Sequence, residues 1–371
     1  MTPDGFLRPA LSALVPYEPG KPVEEVQREL GLEHVVKLAS NEGTYGPIPA
    51  ALAALERSLP GLNRYPDGGA YRLRAAIASW HDVRFDEVAV GAGADGVIDC
   101  LSQAVLEPGD EIVCGWPSFP SYVIDALKLG AKPTKVPLHA HRYDLDALLA
   151  AVTPRTKVVY VCNPNNPTGT ANSREELDAY FARAPAHVLT VLDQAYFEYI
   201  EDPDYPDAIR EYFKQGHRVL VLRTFSKIYG LAGLRVGYGV ASAELVTALG
   251  KVRRAFDITT PAQEAAVASI DCFDELSRRR AETRVRRLEL EALLRQHELE
   301  PVGPAVANFV YAGAAGDGQA LFDALLREGV IVRPLAGFGA ADAVRITVGT
   351  RDDHARLDGA LGRVRAKAGP A

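Results

Sequence analysis

Cysteine is scarce in this sequence. Four are spread over 371 residues (Cys100, Cys114, Cys162 and Cys272), never as CxxC. That spacing argues against a disulfide framework and a cysteine-clustered metal site, and they read as small core residues of a cytosolic protein. Excess basic charge is also missing: 41 Lys and Arg face 48 Asp and Glu, a formal charge of −7. A general nucleic-acid binder would usually be basic, so no nucleic-acid partner is expected. The basic run RRRAETRVRR (278–287) is interrupted by Glu282 and continues into LELEALL, the pattern of a solvated helix face. No stretch approaches the roughly 18–20 uninterrupted apolar residues of a membrane span. The segment MTPDGFLRPALSALVPYEPG shows no cationic start followed by a long apolar run. A cytoplasmic protein without a membrane partner is the expectation.

What is present is ordinary for a globular chain: 47% apolar and 24% charged residues, over a length that suits two domains or one large and one small. Short β-branched runs alternate with amphipathic segments. DEVAVGAG (86–93), DEIVCGW (110–116), KVVYVCN (157–163), VLTVLDQAY (188–196), RVLVLRTF (218–225) and RVGYGVA (235–241) read as buried strands. VIDCLSQAVL (97–106), SREELDAYFARA (173–184) and YPDAIREYF (205–213) read as helices between them. Such alternation predicts an α/β fold with a mostly parallel central sheet covered by helices. After about residue 245 the chain turns helical through KVRRAFDITTPAQEAAVASI and DELSRRRAETRVRRLELEALLRQHEL. Strand candidates NFVYAG (308–313), VIVRPL (330–335) and AVRITVGT (343–350) and a last helix follow, the makings of a smaller α+β domain. The expected division is 1–47, joining the small domain; 48–245, the large domain; and 246–371, the small one.

VAVGAGADGVID holds a literal GxGxxG at Gly91, Gly93 and Gly96, after a strand and before a helix. Three uses of such a turn stand: a plain turn, a phosphate cradle, or a dinucleotide site. The dinucleotide fingerprint wants an acid about 20 positions on, and GWPSFPSY supplies none. The cradle rests on physics alone, because a helix N-terminus offers free N–H groups and a positive dipole end to an anion.

Three further segments end buried strands with polar residues. KVVYVCNPNNPTGT runs into an Asn/Pro loop carrying Asn166; VLTVLDQAYFEY places Asp193 at a strand end with Tyr196 three residues on; RVLVLRTFSK ends on Lys227. In open α/β sheets ligands gather at the carboxyl ends of strands. A carboxylate there must be paired or hydrogen-bonded, because burying it alone is costly. Together the pieces match one cofactor. Pyridoxal phosphate needs a lysine amine to condense with, an acid for its pyridinium nitrogen and donors for its phosphate. Lys227 and Asp193 fit the first two roles. Asn166 and Tyr196 suit the ring 3-oxygen, and Thr224, Ser226, Arg235 and the backbone of Gly93, Ala94 and Asp95 suit the phosphate. HAH (139–141) has no Cys, Asp or Glu at convincing spacing to complete a metal site, and none is expected.

NPNNPTG, DxxY and TFSKxxGLAGLRxGY occur in one order over nearly the whole chain, and in that order the sequence resembles the fold-type I pyridoxal-phosphate aminotransferases of class I/II. PYEPGKPVEEVQRELGL (16–32), KLASNE (37–42), RYPDGGAYRLR (64–74), IVRPLAGFG (331–339) and RITVGT (345–350) are similar to the histidinol-phosphate aminotransferase branch. The resemblance implies that Lys227 bonds the cofactor and that Asp193 and Tyr196 serve the chemistry. It implies that Phe119 stacks on the cofactor ring and that Tyr65 reaches the phosphate of a partner subunit's cofactor, hence a homodimer with shared sites. It implies that Arg345 binds the substrate α-carboxylate, that Arg333 helps bind its phosphate, and that Tyr17, Asn41 and Asn308 lie near the substrate. The implied reaction is transamination between histidinol phosphate and 2-oxoglutarate.

Three positions depart from the family pattern. NEGTYGP (41–47) stands where NENPxGP is usual, Gln194 replaces the glutamate of DEAY, and Phe256 stands where some members carry tyrosine. An aromatic amino acid aminotransferase is therefore the alternative, followed by a decarboxylase of amino-acid phosphates and a non-enzymatic regulatory homologue.

Overall fold

A computed structural model describes residues 6–14, 20–314 and 316–368. The strands in chain order are β1 (Val36–Lys37), β2 (Val88–Gly91), β3 (Glu111–Trp116), β4 (Lys132–Pro137), β5 (Thr156–Cys162), β6 (Leu189–Asp193), β7 (Val219–Thr224) and β8 (Gly237–Val240). They continue with β9 (Glu300–Pro301), β10 (Phe309–Gly313), β11 (Val330–Ile331), β12 (Arg333–Pro334) and β13 (Ala343–Thr347). The fold is α/β of fold type I. Its large sheet has the order β2-β8-β7-β6-β5-β3-β4, and β8 alone runs opposite to the other six strands.

The apolar runs explain that sheet. Every residue of β2, β6, β7 and β8 is buried, which requires cover on both faces. Val159, Val191 and Val221 are fully buried, and their β-branched side chains fit the pleat. β4 (KPTKVP) reads poorly in the sequence because it is an edge strand. Lysine and proline are tolerated there, since one side of the backbone needs no ladder partner.

Two of the expected helices change. YPDAIREYF yields only a π-helical turn at Ile209–Phe213. The long helical reading after residue 245 breaks between the helices Ala243–Val252 and Thr260–Ser269. The Thr259 side chain accepts from the Ala262 N–H and Pro261 sits in the first turn, the marks of a fresh helix start. VIVRPL also splits: β11 pairs with β1, while β12 pairs with β13.

The second sheet, β12-β13-β10-β9, is antiparallel. Its core joins Leu290 and Leu294 of the helix Phe273–Gln296 to Val310, Ile346, Leu357 and, from the N-terminal segment, Leu38. Ile258, Ala262, Ala266 and Ile270 instead pack into the core of the large sheet, as does Phe309. None of the helices among the described residues is long and apolar enough to cross a membrane.

Gly237 ties the sheet to the start of the helix Gly93–Val105. A Cβ there would lie 2.4 Å from the Ala94 nitrogen, and backbone cannot yield as a side-chain tip can. Gly237→Ala is expected to cost about 1–3 kcal/mol of stability, read as a lower denaturant midpoint. An unchanged midpoint would mean the approach is looser than described.

Candidate active site

The carboxyl ends of β5, β6 and β7 meet at a cavity of about 200 Å³. Ser226 and Lys227 follow β7, Asp193 ends β6, and Asn166 follows β5 in a loop that its own side chains hold. In that loop the Asn165 amide donates to the Thr168 hydroxyl at 2.8 Å, and the Asn165 N–H donates to the Thr170 carbonyl at 2.8 Å. The loop is thus fixed by Asx-type bonds, which is what a short Asn/Pro/Thr run does best.

The phosphate-type cradle is built from two turns. Ser226 N–H donates to the Thr224 hydroxyl at 3.1 Å, and the Thr224 hydroxyl donates to Ser226 Oγ at 3.0 Å. Arg235, at φ +52°, brings its Nη1 to 3.4 Å from Ser226 Oγ. Opposite stands Gly93 at φ +79°, opening the helix Gly93–Val105; a Cβ there would sit 2.7 Å from Arg235 Nη2. Glycine at 93 therefore serves both the left-handed backbone and the space for the guanidinium. Ala94 and Asp95 line the cavity from the first turn, whose N–H groups have no intrahelical partner.

Asp193 is buried, 4% exposed, and lines the cavity. Its Oδ2 accepts from the Tyr122 hydroxyl at 2.6 Å and its Oδ1 from the Ala195 N–H at 3.0 Å. Burial pushes its carboxyl up from the ordinary range, and the Tyr122 bond, the Ala195 N–H and the Lys227 charge oppose that. Lys227 is half-buried, with Nζ 5.5 Å from the centre of the Tyr196 ring. Burial, then the charges of Arg345 and Arg235, bring its amine down to about 8. The Tyr196 hydroxyl accepts from the Asn41 amide at 2.9 Å, and Phe119 lines the cavity.

The second sheet supplies the other wall. Arg345 on β13 is paired in register with Arg333 on β12, so two guanidinium groups rise from directly opposed positions. Like charges so placed disfavour each other unless something anionic lies between or beyond them. Arg345 donates to the Asn166 side-chain oxygen and, at 2.8 Å, to the Ala39 carbonyl. Phe338 lies 5.5 Å from each of the two guanidinium carbons. Asn308 donates to the Asn41 carbonyl at 3.1 Å, and its own Oδ1 is buried without a hydrogen-bond partner among the described residues.

Most of the predicted residues therefore converge. Asn308 stands behind Asn41 rather than on the wall, and Tyr65 lies outside, 82% exposed and stacked on Phe256 at 4.8 Å. Tyr17 lies outside the described residues. Tyr122 and Ser40 escaped the sequence reading. Tyr122 stands in the quoted WPSFPSY, but only its contact with Asp193, 71 residues away, gives it significance. Gln194, for its part, points away from the cavity to the buried Arg223, which donates to it at 2.8 Å.

The model of the family "Aminotransferase class I and II" matches residues 33–363. A histidinol-phosphate aminotransferase of Moorella thermoacetica is 42% identical over 360 residues, covering 97% of this chain and 93% of the relative. Among solved structures, a histidinol-phosphate aminotransferase from Sinorhizobium meliloti, in complex with pyridoxal 5'-phosphate, superposes with a TM-score of 0.88 at 27% identity, covering 98% of both chains. An aspartate aminotransferase from Thermus thermophilus with maleate superposes with a TM-score of 0.84 at 25% identity, covering 96% of this chain and 99% of that one. Joined by fold, site geometry and a match over most of its length, this chain belongs to the class I and II aminotransferase family.

Proposed function

We propose that this protein is a pyridoxal-phosphate-dependent aminotransferase that moves the amino group of histidinol phosphate to 2-oxoglutarate, in histidine biosynthesis. One observation carries the reading: Lys227, Asp193 and the Thr224–Ser226–Arg235 cradle share a single cavity with two register-paired arginines. The similarity to relatives named histidinol-phosphate aminotransferase, at 42% identity, supports the substrate.

The residues fit the cofactor. The missing Cβ of Gly93 lets the Arg235 guanidinium approach the helix start, and the two together offer donors that suit a phosphate. The Asp193 carboxylate, gripped at both oxygens, suits a ring nitrogen, and Phe119 suits a ring face. When bound, the cofactor supplies an electron sink that acidifies the Cα–H of an amino substrate. Lys227 would hold the cofactor through its amine, and its free Nζ would take and return the Cα proton. Asp193 keeps a positive ring nitrogen paired. Asn166 and Tyr196 would donate to the ring 3-oxygen. Arg345 clamps the α-carboxylate, and Arg333 receives the substrate phosphate or the distal carboxylate of 2-oxoglutarate, a task for a planar fork of donors. Asn41 borders that substrate space with Asn308 behind it, and Tyr17 is assigned to it by resemblance alone.

A cytoplasmic homodimer completes the proposal. Leu59, Leu62, Tyr65 and Tyr71 are each more than half exposed, and a second copy covering them would bring Tyr65 to its neighbour's phosphate. The division at 47/48 gains support from Leu38 packing in the small core and Ile48 in the large one. The division at 245/246 is better drawn after residue 270, since Ile258–Ile270 pack with the large sheet.

Reconstitution tests the cofactor reading. Only a neutral amine attacks the aldehyde, so the rate of capture is expected to rise with pH, reach half its maximum near 8 and level off above it. Capture that keeps rising to pH 10.5, or no capture at all, would remove Lys227 from this role.

A further inference from the structure

We propose that Tyr122 is a positioning residue for Asp193, holding that carboxylate in the one orientation that faces the cofactor's ring nitrogen. The inference rests on the cofactor reading above. Tyr122 stands in the first turn of the helix Ser121–Lys128 and is fully buried. Its ring stacks on Tyr160 of β5 at 4.3 Å and meets Phe119 edge-on at 5.6 Å. These contacts fix the direction of its hydroxyl, which donates to Asp193 Oδ2 at 2.6 Å. The Ala195 N–H holds Oδ1 at 3.0 Å. A carboxylate gripped at both oxygens cannot rotate about its Cβ–Cγ bond, yet each oxygen retains a lone pair.

The hydroxyl also has a fixed sense. Burial, helped by the Asp193 charge, holds the Tyr122 phenol well above its ordinary range, so it stays protonated and donates. It opposes the burial that would otherwise return a proton to Asp193. Through Phe119 the same ring braces the residue assigned to the cofactor's face. One side chain thereby sets the distance between the acid at the ring nitrogen and the wall beside the ring. A residue that only filled the core would need the ring and not the hydroxyl.

The test is the dissociation constant of pyridoxal 5'-phosphate for the full-length apoprotein between pH 5 and 9, in wild type, Tyr122→Phe, Asp193→Asn and the double variant. Tyr122→Phe is expected to bind about tenfold more weakly at pH 7, the loss of one hydrogen bond to a charged acceptor. Its acid limb should move to higher pH, and the substitution should add nothing once Asp193 is asparagine. Binding equal to wild type at every pH, or a penalty undiminished in the double variant, makes Tyr122 a packing residue and overturns the proposal. Where Tyr122→Phe does not fold, Tyr122→His replaces it. An imidazole donor brings its own titration and should shift the acid limb, whereas an unmoved limb overturns the proposal. A wild type that binds no pyridoxal phosphate fails the cofactor reading and this one together; wild-type binding with an unmoved variant fails this one alone.

Discussion

Lys227→Ala protein is expected to lose steady-state transamination by on the order of 10⁴-fold or more, because one side chain both holds the cofactor and moves the proton. Neither role passes to a neighbour. Thr224 and Ser226 are committed to each other by hydrogen bonds, and burial raises the Tyr196 phenol so that it stays protonated and has no site for the Cα proton. Turnover assayed with cofactor in excess reads the effect directly, and retained turnover would sink the assignment. The same variant carries an opposite stability signature. The Lys227 amine titrates near 8 in the fold against 10.5 when free, so below pH 8 the folded state carries an unfavourable charge, a cost that fades as pH rises toward 10.5. At pH 7 that cost is about 3 kcal/mol before solvent screening and lost packing are discounted. The apoprotein of Lys227→Ala is therefore expected to melt no lower than wild type at pH 7. This is the pattern of a site that stores instability for function.

Arg345 should show the next largest effect. Arg345→Ala is expected to lower kcat/KM for the amino substrate by about 10²–10³-fold, the loss of a desolvated guanidinium–carboxylate pair. Arg345→Lys keeps the charge without the planar fork and should recover only part of it. A second consequence follows from placement. The Arg345 charge is, after burial, the largest influence bringing the Lys227 amine down. Removing it should move the midpoint of cofactor capture from near 8 toward higher pH, and Arg345→Lys should leave that midpoint nearly in place. A loss in kcat/KM without any movement of the midpoint would separate Arg345 from the cofactor lysine.

The strands that build the site were legible because they are buried on both faces. A run such as VLTVLD has no polar alternate positions to confuse it, and the polar residue that ends it stands out. The same logic fails for β4, whose lysines and prolines are permitted by its place at the edge. VIVRPL looked like one strand, yet its two halves find different partners. Local pattern carries the propensity to extend but not the choice of neighbour. The glycine turn at Gly91–Gly96 was open to several uses from spacing alone. The position of the Arg235 guanidinium against Gly93 favours an anion cradle. Tyr122 was illegible for a simpler reason: nothing local distinguishes a core tyrosine from one whose hydroxyl meets a carboxylate 71 residues later. The register pairing of Arg333 with Arg345 was equally out of reach, although both arginines could be nominated one at a time.

The substrate is the central claim. The register-paired arginines suit a donor with a carboxylate-like or phosphate group at a distance from the reacting carbon, and the altered NEGTYGP loop borders the same space through Asn41. The most direct measurement is kcat/KM for a panel of amino donors with 2-oxoglutarate as acceptor. Histidinol phosphate should exceed phenylalanine by about 10²-fold or more, the worth of one well-formed charged contact. Phenylalanine equal to or ahead of histidinol phosphate would contradict the assignment and leave an aromatic amino acid aminotransferase in its place.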